Sequence, residues 1–442
     1  MTSLPQYLVL DFRIERLPKA ALSAMQAERL RNMARYVYDH TPFWRRKFDA
    51  AGVRPENISG LDDLPRIPFC TKTELLEDQQ QHPPFGSYVA SHPTHWQKLF
   101  ATSGTTARPL LRVFSRADWS HVLDRFQRSS PAEPGDRILI LGPTDGLLGP
   151  TAGAEGLARR GVMVIFAGRY DTKAKIELIR QVRPTVVQGA ASYLLHVAEV
   201  AREMGVDLNA CGVKVLLSVG EPGAAVPGTR GRLERGWGAA VTDGFGLTEI
   251  FPLGGSCPHS RALHLPDDLV ITEIVDPATG APLPPGQPGE VVFTNLVGDT
   301  QPLLRYRTRD IARAAPPEPC ACGFTGTRLV NSIEGRVDDM IWYKGLNVFP
   351  TSIEAVLRGF SETGDEFQIV VTGDAAAPML TVKVEVKADA PAGADTAARL
   401  RQAIKSAAGI TVEIELIPDG SLPRVDAKSK ARRVVDLRPK PG

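Results

Sequence analysis

Long apolar runs are missing from this chain. No stretch approaches the roughly 18 residues that would span a bilayer, so no membrane-spanning helix is expected. An excess of one charge is missing too. Lys and Arg number 52 against 50 Asp and Glu, a formal net charge of +2, which gives no case for nucleic acid or a membrane surface as partner. Only five cysteines are present. Two of them, in Cys320-Ala321-Cys322, suggest metal binding in a reducing cytoplasm rather than a disulfide frame. The segment Met1-Thr2-Ser3-Leu4-Pro5 lacks a basic stretch leading into an apolar one, so no secretory signal is expected. No internal repeat is visible. What remains is ordinary globular composition, 43% hydrophobic and 23% charged over 442 residues, long enough for two or three domains.

Hydrophobic periodicity organises the chain. Leu22, Met25, Leu30, Met33, Ala34 and Val37 recur at helical spacing and predict one amphipathic helix over about 20–50. From Asp136 strands and helices alternate. Strands are expected at 137–141, 162–166, 184–187 and 213–217, with helices at 152–160, 173–181 and 194–204. Apolar, β-branched strands separated by helices indicate βαβ units on a parallel sheet, whose ligands bind beyond the carboxyl ends of the strands. The loops 189–192 and 218–222 lie at such ends. Residues 282–289 read as a Pro/Gly turn within a small β region. Beyond Arg336 the pattern changes: a helix at 352–357, strands at 367–371 and 380–386, a linker at 388–395, a helix at 397–408 and a strand at 411–416.

Thr102-Ser103-Gly104-Thr105-Thr106 follows the strand-like 97–101. It packs hydroxyls and a glycine into one turn, where backbone N–H groups and hydroxyls can converge on phosphate oxygens. It is not the usual P-loop, because no Gly-Lys-Ser/Thr follows at the required spacing. Downstream come Ser218-Val219-Gly220-Glu221-Pro222 and Asp243-Gly244-Phe245-Gly246-Leu247-Thr248-Glu249. Arg305-Tyr306-Arg307-Thr308-Arg309-Asp310 and Gly335-Arg336-Val337-Asp338-Asp339 follow. Lys344-Gly345-Leu346-Asn347-Val348-Phe349-Pro350 and Lys430-Ala431-Arg432-Arg433-Val434-Val435-Asp436 come last. Each motif alone is a weak signal. In this order, from Tyr36 to the C-terminus, they resemble the acyl-adenylate-forming (AMP-binding) superfamily, most closely its phenylacetate–CoA ligases.

The resemblance implies an α/β fold: a large N-terminal domain, 1–337, with parallel αβα layers plus a small β region, then a small mobile α+β domain, 338–442. It implies an ATP-dependent acid–thiol ligase that activates an aryl or arylacetic acid as an acyl-adenylate and passes it to coenzyme A. Thr102 to Thr106 would hold phosphates, although Ala107-Arg108 replaces the family's Gly-Lys. Gly220, Glu221, Pro222, Asp243, Gly246 and Thr248 would line the nucleotide, with Phe245 stacked on adenine. Glu249 would ligate Mg2+, which prefers oxygen and shares itself with substrate phosphates. Asp310 would accept the ribose hydroxyls and Arg336 would contact ribose or phosphate. A salt bridge of Asp310 with Arg305, Arg307 or Arg309 is the plainer alternative. The family's catalytic lysine is Lys430 if the anchor is Arg433-Val434-Val435-Asp436, and Lys428 if it is Leu422-Pro423-Arg424; the first is preferred. Asp338 would be the hinge, and Lys344 and Gly345 would line the thiol's tunnel in a second orientation. Residues 142–154 and 189–193 would border the acid; their small side chains depart from what a phenylacetate pocket leads one to expect.

Cys257, Cys320 and Cys322 with one histidine make a closed, structural zinc set. His259 and His264 are both available, and the spacing in relatives favours His264. The partners expected are a small carboxylic acid, ATP, and coenzyme A or a carrier-protein thiol, with no nucleic acid and no membrane. A homodimer is the candidate assembly and the cytoplasm the expected location. Two other readings stand beside the ligase: an adenylating enzyme that loads a carrier protein and, more remotely, a zinc-containing nucleic-acid-binding protein using the tail from Lys428 to Arg433.

Overall fold

The computed structural model of the chain describes residues 14–102, 108–251, 253–257, 259–337, 340–343, 346–373, 378–387, 390, 393–424 and 433–438. Two helices, α1 (Lys19–His40) and α2 (Pro42–Ala50), stand where the periodicity predicts one. Thr41 makes the break. Its backbone is extended, its hydroxyl accepts from the Trp44 N–H at 3.4 Å, and Pro42 supplies the first residue of α2; this is the N-cap chemistry that starts a new helix. Helix α3 (Lys72–Gln81) begins with a Thr71/Glu74 capping box. The hairpin β1 (Trp96–Ala101) and β2 (Leu111–Ser115) leads into α4 (Arg116–Ser129).

The alternating part follows: β3 (Arg137–Ile140), α5 (Leu148–Arg159), β4 (Met163–Phe166), α6 (Thr172–Val182), β5 (Val186–Gly189), α7 (Ala191–Glu203), β6 (Val215–Val219), α8 (Pro227–Trp237) and β7 (Ala240–Gly246). β3 pairs with β4 and β5, β5 with β6 and β6 with β7, all parallel. Leu139, Val187 and Leu216 are fully buried under Ile176, Leu194 and Trp237, as strands covered by crossover helices require.

Six strands complete the sheet: β8 (Leu253–Ser256), β9 (Leu263–His264), β10 (Val270–Val275), β11 (Pro288–Asn295), β12 (Tyr306–Ala314) and β13 (Arg328–Arg336). They do not form a separate β region. β7 pairs antiparallel with β8, β8 with β9, and β9 with β13. One mixed sheet of eleven strands therefore runs β10-β11-β12-β13-β9-β8-β7-β6-β5-β3-β4. Glycine makes the junction: Gly244 faces Gly255, and a Cβ on Gly254 would come within 2.7 Å of the Leu263 side chain.

The C-terminal domain holds the hairpin β14 (Ile341–Tyr343) and β15 (Leu346–Val348), then α9 (Pro350–Arg358), β16 (Thr363–Gly373), β17 (Pro378–Val386), α10 (Ala394–Ala408), β18 (Glu413–Pro418) and β19 (Val434–Asp436). Its four-stranded sheet has the order β18-β17-β16-β19. Ile353, Leu357, Phe367, Ile369, Val382, Leu400 and Ile404 form a core drawn from this unit alone. Each such side chain contributes about 1.5–3 kcal/mol when buried, so the domain holds itself together. The expected boundary at 338 lies outside the described residues.

Candidate active site

The carboxyl ends of β6 and β7 carry the first group of candidate residues. Gly220 turns the chain after β6 with φ 91°, a left-handed conformation that a Cβ would strain. Glu221 has a task the sequence does not reveal. Its carboxylate accepts from the Ser192 N–H at 2.5 Å and so caps α7, which has no side-chain cap of its own. Pro222 opens a short 3-10 turn that ends at Ala225. On β7, Asp243 is buried and its amide donates to the Ser256 hydroxyl at 2.5 Å. The Asp243 Oδ1 and the hydroxyl of Ser218, its register partner on β6, are buried with no hydrogen-bond partner among the described residues. Burial pushes the Asp243 carboxyl up to about 7, against the opposing pull of the Ser332 hydroxyl and the Arg230 guanidinium. Unsatisfied polar atoms at the end of two parallel strands suit a ligand that brings its own donors.

Phe245 is half-buried, and its ring centroid lies 6.2 Å from that of Phe293. Gly246 is exposed and Thr248 half-buried. Glu249 is buried and forms an ion pair at 3.1 Å with Lys72. Lys72 opens α3, and sequence reasoning missed it. A lysine at a helix start is usually a solvated charge, and nothing local ties it to a carboxylate so distant in the chain.

The second group lies where β12 and β13 pair. Asp310 and Arg336 are register partners, and an Arg336 Nη1 donates to Asp310 Oδ1 at 2.9 Å. The alternative pairings of Asp310 with Arg305 and Arg307 are not formed. Arg305 binds Glu273 at 2.8 Å and Arg307 binds Glu290. Tyr306, on the same strand, links the two groups. Its hydroxyl is raised well above its ordinary range first by burial and then by Glu249, with Asp310 adding to the effect. Glu249 and Asp310 thus both act electrostatically on one buried phenol.

Of the phosphate loop, Thr102 is described. Its N–H donates to the Leu110 carbonyl at 3.0 Å and its hydroxyl accepts from the Leu110 N–H at 3.1 Å, so it clamps the two ends of the loop together. Ser103, Gly104, Thr105, Thr106, Asp338, Lys344, Gly345, Lys428 and Lys430 lie outside the described residues. In the stretch 189–193, Tyr193 turns into the core: its hydroxyl meets Lys175 Nζ at 3.0 Å and the Thr172 hydroxyl at 3.1 Å.

A second cluster sits beside β9. One ligand atom from each of Cys257, His264, Cys320 and Cys322 lies within 4.8 Å of all the others. His264 Nε2 is buried without a hydrogen-bond partner, and the imidazole stacks on Phe324 with centroids 4.1 Å apart. A hydrogen bond from Cys322 and then the His264 imidazole hold the Cys257 thiol far below its ordinary range. Three sulfurs and one orphaned imidazole nitrogen fit a tetrahedral thiophilic cation. His259 is exposed, and what it offers Cys257 is its backbone N–H, 3.4 Å from the sulfur. The cluster also holds the N-terminal segment, since Arg16 donates to the Cys322 carbonyl at 3.0 Å and Thr325 to the Leu17 carbonyl at 2.7 Å.

An open α/β sheet with carboxylates at its strand ends, followed by a self-contained α+β domain, has the architecture of an α/β protein that binds its ligand beyond the strand ends. Residues 56–295 match the model of the AMP-binding enzyme and 345–438 that of the AMP-binding enzyme C-terminal domain. The chain belongs to the AMP-binding enzyme family. It is 36% identical to the phenylacetate-coenzyme A ligase of Thermus thermophilus, over 96% of this chain and 98% of that one. It is 33% identical to the phenylacetate-coenzyme A ligase of Escherichia coli, over 94% and 95%. Among solved structures, a 2-hydroxyisobutyryl-CoA ligase in its postadenylation state, 31% identical, superposes with a TM-score of 0.89 over 96% of this chain and 91% of that one. The same ligase in its thioesterification state, here 32% identical over 96% and 92%, reaches a TM-score of 0.72. A whole-chain score falls when one domain is turned against the other, so the domains here sit closer to the postadenylation arrangement. Family membership displaces the nucleic-acid-binding reading. Among the described residues no helix is long and apolar enough to cross a membrane.

Proposed function

We infer that this AMP-binding enzyme is an ATP-dependent acid–thiol ligase that forms an acyl-adenylate and transfers the acyl group to coenzyme A. The observation that carries this is the Asp310–Arg336 pair where β12 meets β13, with Glu249 buried against Lys72 and with unmet hydrogen-bonding capacity on Asp243 and Ser218 at the carboxyl ends of β7 and β6. In this reading Glu249, now paired with Lys72, would hold Mg2+, which would supply positive charge beside the phosphates. Asp310, oriented by Arg336, accepts the ribose hydroxyls, and Asp243 accepts from the adenine amino group while Phe245 covers the ring. Thr102 to Thr106 cradle the phosphates. The carboxylate of the substrate attacks the α-phosphorus, pyrophosphate leaves, and Lys430 stabilises the developing charge; positioning and charge stabilisation supply the rate. The coenzyme A thiol then displaces AMP from the acyl carbon as the C-terminal domain turns about Asp338, with Lys344 and Gly345 along its path.

Cys257, His264, Cys320 and Cys322 would hold a structural zinc ion, a closed set with no open position for a substrate. The acid is an aryl or arylacetic acid in this proposal, with the small residues of 142–154 along its pocket. The enzyme is cytoplasmic, consistent with five free cysteines, and a homodimer is the assembly we attach to it. Acid-dependent ATP–pyrophosphate exchange across aryl, arylacetic and short hydroxylated acids tests the reading, followed by thioester formation on free coenzyme A. Exchange with none of them would refute the ligase, and exchange without a coenzyme A thioester would redirect it to a carrier-protein thiol.

A further inference from the structure

The two domains meet at a polar contact. Arg232, on α8 of the large domain, sends its guanidinium to the turn after α9 and the first residues of β16 in the small one. Its Nη1 donates to the Gly364 carbonyl at 2.8 Å and to Asp365 Oδ1 at 2.6 Å. Its Nη2 donates to the Phe360 carbonyl at 3.1 Å and to the Thr363 hydroxyl at 2.9 Å. The Arg232 side chain keeps only 12% of its exposure. Burial opposes the charge of Asp365, but Arg358 and Arg232 outweigh it and hold the carboxyl below its ordinary range. Close by, α8 meets the end of α9 at Gly228, where a Cβ would stand 2.3 Å from the Cβ of Arg358 and 3.0 Å from its carbonyl carbon. Only glycine lets the helices approach so closely.

We propose that Arg232 and Gly228 form an interdomain latch, and that Arg232 is a positioning residue for the adenylate-forming half-reaction alone. A guanidinium fork satisfied by four acceptors on one turn fixes both distance and orientation. Three of those four acceptors are neutral, and Asp365 also pairs with Arg358 at 3.3 Å within the small domain, so the fork can open and re-form without leaving the carboxylate unpaired. That suits a contact made and broken in every turnover. It belongs to the arrangement closer to the postadenylation state, so losing it should cost the first half-reaction and spare the second. The latch deepens the proposed ligase function and rests on it.

The test measures the two half-reactions separately on the full chain. One is acid-dependent ATP–pyrophosphate exchange; the other is coenzyme A thioester formation from supplied acyl-adenylate. Arg232→Ala should lower the kcat of exchange about tenfold or more, the scale set by lost charge-assisted hydrogen bonds. KM for ATP should stay within about twofold, because the nucleotide-binding residues are untouched. Thioester formation from the adenylate should hold or rise. Gly228→Val, a steric lesion with no charge change, should give the same split, and Arg232→Lys should recover part of the exchange. An equal fall in both half-reactions would make Arg232 merely structural, and unchanged exchange in both variants would remove the latch; either result overturns the proposal. If the unaltered chain exchanges with no acid, the ligase reading fails and the latch is judged by amide hydrogen exchange. Faster exchange across 360–365 in Arg232→Ala, with the melting of the small domain unchanged, would support it, and unchanged protection would overturn it.

Discussion

Replacing Glu249 with glutamine removes one negative charge and almost no volume, which makes it a clean probe of the phosphate end of the site. Glu249 retains 11% of its side-chain exposure and Lys72 25%, with 3.1 Å between them. A pair so placed is partly screened, and breaking it should lower stability by about 1 kcal/mol. In a domain of this size that moves the melting temperature by about 2 °C or less. Loss of a cation ligand that stabilises charge in the transition state acts on a different scale, about 10²–10³ in rate. Pyrophosphate exchange should therefore fall by that factor while the melting curve barely moves, and higher magnesium should restore part of the rate. Lys72→Met supplies the converse: it frees the carboxylate, so half-maximal exchange should need less magnesium. Wild-type exchange in folded Glu249→Gln would remove Glu249 from the mechanism. A loss of activity matched by a collapse in melting temperature would make the Lys72–Glu249 pair structural and refute the reasoning equally.

Asp310→Ala should raise KM for ATP about tenfold or more, since hydrogen bonds to a charged group are worth about 1.5–3 kcal/mol; 2′-deoxy-ATP should then be used almost as well as ATP, and a variant that still prefers ATP as strongly as wild type would count against the ribose role. Purified protein should carry about one zinc per chain, and Cys322→Ser should lower both the zinc content and the melting temperature; metal-free protein from a chelator-free preparation would sink the zinc assignment. The Asp243 carboxyl, raised from 3.8 to about 7 by burial, binds its proton more tightly folded than unfolded. Its contribution is therefore fully present below about pH 4 and is lost as pH rises towards about 7. Asp243→Asn should accordingly gain stability relative to wild type between those values and hold a constant difference above them. A difference independent of pH in denaturant titrations would show that the carboxyl is not raised.

The parallel half of the sheet was legible because its strands are apolar, β-branched and spaced by helices, so local signals agree with the tertiary result. The joint between halves was not. Leu253-Gly254-Gly255-Ser256 carries no strand propensity, and β9 is two residues long; both become strands because close backbone approach, permitted by glycine, lets them pair with neighbours far apart in sequence. Thr41 and Pro42 were a readable helix start hidden inside an unbroken apolar stripe. At the site, residue types were legible where chemistry restricts them: the four zinc candidates converge as expected, whereas Asp310 pairs with Arg336 rather than with Arg305 or Arg307. The structural task of Glu221 and the contact of Lys72 with Glu249 were invisible, because a helix N-terminus and a lysine impose no pattern on the residue that meets them. The same holds for Arg232, most of whose acceptors are not side-chain charges.

The small domain's apolar core is complete in itself, with Phe367, Ile369, Val382 and Leu400 drawn from one unit. Its contact with the large domain through Arg232 and Thr229 is polar, the Thr229 hydroxyl meeting Glu354 at 3.3 Å. Had the balance been reversed, with apolar side chains spent between the domains, turning one against the other would expose them to water at about 25 cal/mol for each Å². A single orientation would then dominate. A closed core in the small domain, docked in part through polar groups, is the condition under which two orientations can lie close in free energy. That near-balance is what one site needs in order to present different faces of the small domain to the adenylate-forming and thioester-forming steps in turn. It also explains why the decisive contact is a glycine and an arginine fork: together they define the docked geometry closely without making it permanent.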